Sequence, residues 1–192
     1  LNGKNVEGIP NGLADQEKEE DKPEVRDETR RKLGLKENDF LAILIGRFIP
    51  LKGHSVFFRS LAKAAAKNPN LRGLVVGNDP SDKGQYLEKL KSELKALEIE
   101  DKITFLPWQD HMGPIYQSAD VVVQPSIEPE SFGYVALEGM AAGKPVIASR
   151  LGGLIDVIRD GETGFLVEAG NSDELSKAIN RLAADPSLAL NF

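Results

Sequence analysis

The 192-residue chain contains no cysteine, which excludes disulfides, thiol nucleophiles and cysteine metal sites. Its two histidines, His54 and His111, stand far apart and lack acidic companions at ligand spacing, so no metal is expected. No apolar run approaches the length that crosses a membrane, and no N-x-S/T glycosylation acceptor occurs. Lysine and arginine number 24 against 30 aspartates and glutamates, giving a net charge of -6. Without a basic stripe, this charge argues against a general nucleic-acid binder, and any phosphate site must be local. No repeat of fixed period is present. A Rossmann G-x-G-x-x-G and a Walker A loop are also missing after the first strand. The nearest candidate, Gly139-x-x-x-Gly143-Lys144-Pro145, has the wrong spacing and a proline where serine or threonine is needed. These absences fit a cytoplasmic protein.

What is present is an ordinary globular composition, 41% hydrophobic and 28% charged, of a length that favours one domain. The chain opens on Leu1 with no signal-like segment, and the expectation is a piece of a longer protein. Residues 1–31 read as an extension: a Gly- and Asn-rich start, then a dense mix of charges. A short helix over Glu24–Leu33, stopped by Gly34, fits inside this solvated linker.

From there apolar strands alternate with amphipathic helices. Strands are expected at Phe40–Gly46, Leu71–Gly77, Lys102–Leu106, Asp120–Gln124, a run before Ser149, and Gly164–Glu168. Helices are expected at Lys52–Lys67, Asp82–Leu97, Met112–Ala119, from Gly133 to near Gly143, at Leu154–Arg159 and at Ser172–Ala184. Six uniformly apolar strands separated by helices require a doubly wound α/β fold. Its sheet is six-stranded, mostly parallel and Rossmann-like, with helices on both faces, over residues 32–186. Residues 187–192 form a short tail.

The chemistry gathers after the first and fourth strands. Arg47 follows the first strand, and Lys52-Gly53 opens the next helix. Two cations five residues apart across that turn could clamp a diphosphate, or be a surface lysine and a structurally paired arginine. Gly133-Tyr134-Val135 starts a helix whose free amides and positive dipole end attract an anion. Glu130 on the loop before it can reach hydroxyls of a ligand. Glu138, about two turns further on at ~3.6 residues per turn, sits among apolar residues too dense for a casual carboxylate. A paired-carboxylate hydrolase also uses two acids, yet the anion-binding helix start between these two points to a phosphorylated ligand. Gly77-Asn78-Asp79 and Leu106-Pro107-Trp108 end two other strands and could frame a flat base; Trp108 fits a core or interface aromatic equally well.

Glu130 and Glu138 with Ser131-Phe132-Gly133 between them resemble the E-x7-E motif of retaining GT-B-fold glycosyltransferases of the group 1 type. The similarity extends across Ile9-Pro10-Asn11-Gly12, Gly46-Arg47, Lys52-Gly53, Ser118-Ala119-Asp120, Pro125-Ser126, Gly143-Lys144-Pro145-Val146, Gly152-Gly153 and Asp160 to Val167. The resemblance implies one half of a GT-B fold and a nucleotide-diphosphate sugar as donor substrate, with no cofactor and no metal. It implies that Arg47 and Lys52 bind the diphosphate, helped by the amides of Gly133, Tyr134 and Val135. Glu130 would contact the donor sugar, and Glu138 the ribose. Asn78 and Trp108 would lie against the base, with Gly46 and Phe132 completing the donor site. Arg47, Lys52 and Glu130 would be the catalytic residues.

The resemblance further implies that the N-terminal acceptor domain is missing, so that this chain alone would transfer no sugar. No nucleic acid or transmembrane segment is expected, and any peripheral membrane contact would go through the absent domain. Rival readings are a GT-B-type epimerase or phosphorylase and a non-catalytic nucleotide-sugar-binding or docking module. Product analysis separates the first, and Arg47→Ala and Glu138→Ala titrations the second.

Overall fold

Covering both faces of a parallel sheet leaves little room for polar side chains, and the apolar runs become strands for that reason. In the computed structural model, which describes residues 23–80, 84–130, 132–185 and 187–188, six strands form one sheet. They are β1 (Phe40–Ile45), β2 (Leu71–Val76), β3 (Ile103–Leu106), β4 (Val121–Gln124), β5 (Val146–Ser149) and β6 (Phe165–Val167). Their order is β3-β2-β1-β4-β5-β6, and every neighbouring pair is parallel. The helices are α1 (Pro23–Lys32), α2 (His54–Ala65), α3 (Gln85–Ala96), α4 (Gly113–Ser118), α5 (Tyr134–Ala141), α6 (Leu154–Val157) and α7 (Ser172–Ala184).

Because side chains alternate along a strand, each strand feeds two cores. Ala42 and Leu44 of β1 pack with Phe57, Phe58 and Leu61 of α2, Leu90 of α3 and Leu175 of α7. Leu41, Ile43 and Ile45 point the other way, into a second core with Ile115 of α4, Ala136 of α5 and Leu154 of α6. This is the expected doubly wound α/β architecture, and the sheet is wholly parallel. Its strand order reverses between β1 and β4, so the loops leaving these two strands flank the crevice where such folds bind ligands.

Several boundaries moved for local reasons. The helix expected from Lys52 begins at His54, after a single 3-10 turn at Pro50–Lys52. Gly53 breaks the two with a left-handed φ of 73°, and a Cβ there would stand 1.8 Å from the Pro125 carbonyl oxygen. α3 starts at Gln85 behind Gly84. Residues 1–22 of the extension, Asp82 and Lys83 of the expected helix, Ser131, Pro186 and residues 189–192 of the tail lie outside the described residues.

The segment expected to be solvated linker up to residue 31 contains a docked helix. Arg30 of α1 is buried. Its guanidinium donates to the Ser118 carbonyl at 2.9 Å, to Asp120 Oδ2 at 3.1 Å and to the Asp39 carbonyl. Arg26, one turn earlier, donates to the carbonyls of Gln117 and Ala119 at 2.9 Å and to Asp120 Oδ1 at 2.6 Å. Those carbonyls belong to the C-terminal end of α4, whose orphan acceptors and negative dipole end take the two cations. Asp120 also accepts the Leu41 amide at 2.7 Å, which ties α1, α4, β1 and β4 into one polar knot.

Candidate functional site

At the C-terminal ends of β1 and β4 the two loops are laced together. The Ile127 amide donates to the Leu51 carbonyl at 2.9 Å. The Lys52 stem crosses Gly46, where a Cβ would stand 3.3 Å from Lys52 Cγ and Cδ. Its Nζ reaches Glu130 Oε1 at 2.6 Å, and Ser126 Oγ donates to the same oxygen at 2.7 Å. Both members of the ion pair are largely covered, with side chains 17% and 15% exposed. Burial pushes the Glu130 carboxyl up, but hydrogen bonds from Lys52 and Ser126, the Lys52 charge and Gln124 hold it below the ordinary carboxylate value. Glu130 is therefore ionised at neutral pH.

The backbone of Glu130 is gripped from below. Its carbonyl accepts the Gly153 amide at 2.9 Å. Gly152, at φ 53°, comes so close that a Cβ would lie 2.4 Å from that oxygen. The Gly152-Gly153 pair thus fixes the glutamate and does more than open α6. Arg150 beside it is engaged by Asp160 at 2.6 Å. Arg47 is exposed at the end of β1 and makes no ion pair among the described residues.

Gly133 caps α5 at φ 85°. A Cβ there would stand 2.6 Å from Leu154 Cδ2, so the backbone is pressed onto α6. The buried Gln124 at the end of β4 accepts the Ala136 amide at 3.0 Å. That leaves the first-turn amides of Tyr134 and Val135 for other acceptors, at the positive end of the helix. Phe132 and Tyr134 stack edge-to-face with ring centroids 5.0 Å apart. Glu138, half-buried one turn further along, takes the Tyr116 hydroxyl at 2.5 Å. Burial and this carboxylate push the Tyr116 phenol far up, so it stays a proton donor.

Asn78 and Trp108 meet at the ends of β2 and β3, where Asn78 Oδ1 accepts the Trp108 amide at 3.1 Å. The Asn78 carbonyl accepts from the Phe48 amide at 2.9 Å, and Trp108 is 49% exposed. Gly77 lies against the Gly46 carbonyl, where a Cβ would be 1.9 Å from the oxygen. All the residues expected at the site therefore lie along one edge of the sheet. Lys52 and Glu130 are in direct contact; Asn78 and Trp108 form a separate pair at the ends of β2 and β3, on the side of β1 away from β4. Sequence reading missed Ser126, Gln124 and Tyr116. Only the polar ending of an apolar strand hinted at Gln124, and nothing local marked Tyr116.

Beneath Lys52 sits His54, fully buried between Phe48 and Tyr86, with neither ring nitrogen in a hydrogen bond. Burial, helped by the Lys52 charge and opposed by a backbone contact to Ile49, pushes its pKa down to about 4. The unfolded chain protonates this histidine near pH 6.5, before the native state does. Its contribution is thus intact above about pH 6.5 and is lost as pH falls towards 4. We expect stability in urea to fall by at most about 1.4 kcal/mol per pH unit in this window, and His54→Phe to flatten that slope. Parallel declines in both proteins would contradict this. Among the described residues, no group of three or more metal-ligating side chains occurs, and no helix is long and apolar enough to cross a membrane.

The fold defines a doubly wound α/β protein whose switch-point crevice is lined by the Lys52–Glu130 pair and the N-terminus of α5. Comparison with known proteins gives the family. The model of the family "Glycosyl transferases group 1" matches residues 25–192, and the chain belongs to that family. A D-inositol 3-phosphate glycosyltransferase of Rhodococcus opacus is 39% identical over 171 residues, covering 86% of this chain and 38% of that protein. The chain thus spans about two-fifths of the length of this relative. Among solved structures, HepE of Anabaena in complex with UDP and glucose superposes with a TM-score of 0.84 at 29% identity, over 88% of this chain and 45% of HepE. The C-terminal domain of LpcC, a glycosyl transferase group 1 protein of Francisella tularensis, is matched over 86% of both chains with a TM-score of 0.75 and 26% identity. The sheet is of the type found in one half of a GT-B fold.

Proposed function

We propose that this chain binds a nucleoside diphosphate sugar and forms the donor side of a retaining, metal-independent sugar transfer. The observation that carries the reading is the covered Lys52–Glu130 pair, set in the switch-point crevice beside the open amides of α5. In this reading Arg47 and Lys52 hold the diphosphate together with the Tyr134 and Val135 amides. Glu130 faces the sugar hydroxyls. Glu138, oriented by Tyr116, takes the ribose, and Asn78 and Trp108 bound the base.

When the bond between the anomeric carbon and the β-phosphate oxygen breaks, its electron pair stays on that oxygen. The acceptor hydroxyl bonds to the anomeric carbon on the face the diphosphate leaves and passes its proton to the departing β-phosphate oxygen. Lys52, once a sugar hydroxyl takes its place on Glu130, opposes the charge that develops on the departing diphosphate together with Arg47 and the helix amides. We place acceptor recognition outside these 192 residues, so the purified chain transfers no sugar by itself. HepE has been solved with UDP-glucose, which makes uridine the first base to try.

A thermal-shift panel of UDP-, GDP- and ADP-sugars tests the reading. A ligand at about 100 times its Kd stabilises the native state by about 2.7 kcal/mol. For a chain of this size that raises Tm by about 5–10 °C. A folded chain whose melting point no nucleotide sugar moves would refute the donor-site assignment.

A further inference from the structure

Lys52 and Glu130 are expected to serve different parts of one ligand, the diphosphate and the sugar. In the structure they hold each other. Lys52 Nζ and Ser126 Oγ both donate to Glu130 Oε1, at 2.6 Å and 2.7 Å. The lysine is thus already neutralised by a carboxylate fixed through Gly153 and Gly152. A diphosphate that arrives without a sugar has to take Lys52 from this partner. It leaves a covered carboxylate short of a donor, and it sets a second anion beside the first. A diphosphate that carries a sugar brings hydroxyl groups, which can donate to Glu130 in place of Lys52. The ammonium then turns to the phosphate and no charge is left unpaired.

From this geometry, and resting on the donor-site reading above, we infer that Glu130 is a selectivity element. It competes with bare nucleoside diphosphate for Lys52 and withdraws that competition when a sugar is attached. The carboxylate thereby discriminates between the donor and the leaving group it becomes, and favours release of the spent nucleotide after transfer. Ser126 belongs to the same device, because its hydroxyl keeps Oε1 aimed at Lys52. The role is one of positioning and charge competition, distinct from simple contact with the sugar.

The two roles separate in one experiment. Calorimetric titrations of the 192-residue chain with UDP and with UDP-glucose are run on the unmodified protein, Glu130→Gln and Glu130→Asp, with folding checked by circular dichroism. The same pairs of GDP and ADP ligands are used if uridine does not bind. Glu130→Gln keeps the side chain's shape and removes the competing charge. It is expected to bind UDP about 10-fold more tightly, the worth of one charge-assisted hydrogen bond, and UDP-glucose no more tightly. Glu130→Asp withdraws the carboxylate from Lys52 by one methylene and should shift UDP in the same direction by less; it carries the test if the glutamine variant does not fold. A glutamate that merely touches the sugar would weaken UDP-glucose and leave UDP unchanged, and that result, or weaker UDP binding, overturns the inference. If the unmodified chain binds none of the nucleotides, the donor-site reading itself fails. If it binds them and the variants leave bare diphosphate unaltered, only the competition fails.

Discussion

Lys52→Ala is expected to weaken binding of a nucleoside diphosphate by about 30- to 1000-fold, the worth of about 2–4 kcal/mol. Two losses add in the same direction. The ammonium no longer makes its charge-assisted hydrogen bonds to the phosphate, and no cation stands between the covered Glu130 and the incoming anion. The side chains of this pair are less than a fifth exposed, so water does little to screen the repulsion. Arg47→Ala should cost far less, about 10-fold, because its guanidinium stands in solvent where charge is screened. Titration with UDP or whichever base the chain prefers checks both values. Equal, small effects at the two positions would mean that the diphosphate does not sit over the β1–α2 turn.

Asp120→Ala is expected to destabilise the domain by about 3–5 kcal/mol, because it breaks a partly buried network of two ion pairs and a backbone bond from its centre. The substitution leaves Arg30 buried without its carboxylate, strips Arg26 of its 2.6 Å partner and orphans the Leu41 amide. For a chain of this length the melting temperature should fall by about 6–20 °C. Asp120→Asn keeps an acceptor for one of the donors and should fall between. Asp120 precedes β4, at the opposite end of the strand from the ligand crevice. Variants that remain folded should therefore bind nucleotide with unchanged affinity. A loss below about 1 kcal/mol in urea unfolding would show that α1 docks without this carboxylate.

The order of strands and helices was legible because a parallel sheet covered on both faces admits almost only apolar side chains. β1, β4 and β5 therefore read as unbroken hydrophobic runs, and the alternating helices left one topology class. The glycines at 53 and 133 marked the sharp turns, although the closeness of Pro125 to Gly53 depends on a loop 72 residues away in the chain. The docking of α1 was not legible. Arg26 and Arg30 lie in a stretch whose composition matches a solvated linker, and the acceptors that bury them are carbonyls at the end of α4. Composition reports charge but not which distant carbonyl receives it.

The site divides in the same way. Arg47, Lys52, Glu130 and Glu138 stood out as charges in loops or apolar surroundings, and the structure brings Lys52 to Glu130 across 78 positions of sequence. The residues that aim them, Ser126, Gln124 and Tyr116, were given no role from sequence: each acts through a hydrogen bond, over 4, 12 and 22 positions, that depends on how the chain folds around β4 and α5. Their presence changes the chemistry: Glu130 is already partnered, and Glu138 is already oriented.

The most direct measurement of the central claim is where a nucleoside diphosphate lands. In amide-resolved NMR of the 192-residue chain, titration with UDP-glucose should shift the amides of Lys52, Gly53, Gly133, Tyr134 and Val135 first, together with Asn78 and Trp108 at the base end. Shifts confined to another surface, or a folded chain whose spectrum ignores uridine, guanosine and adenosine diphosphate sugars alike, would contradict the account.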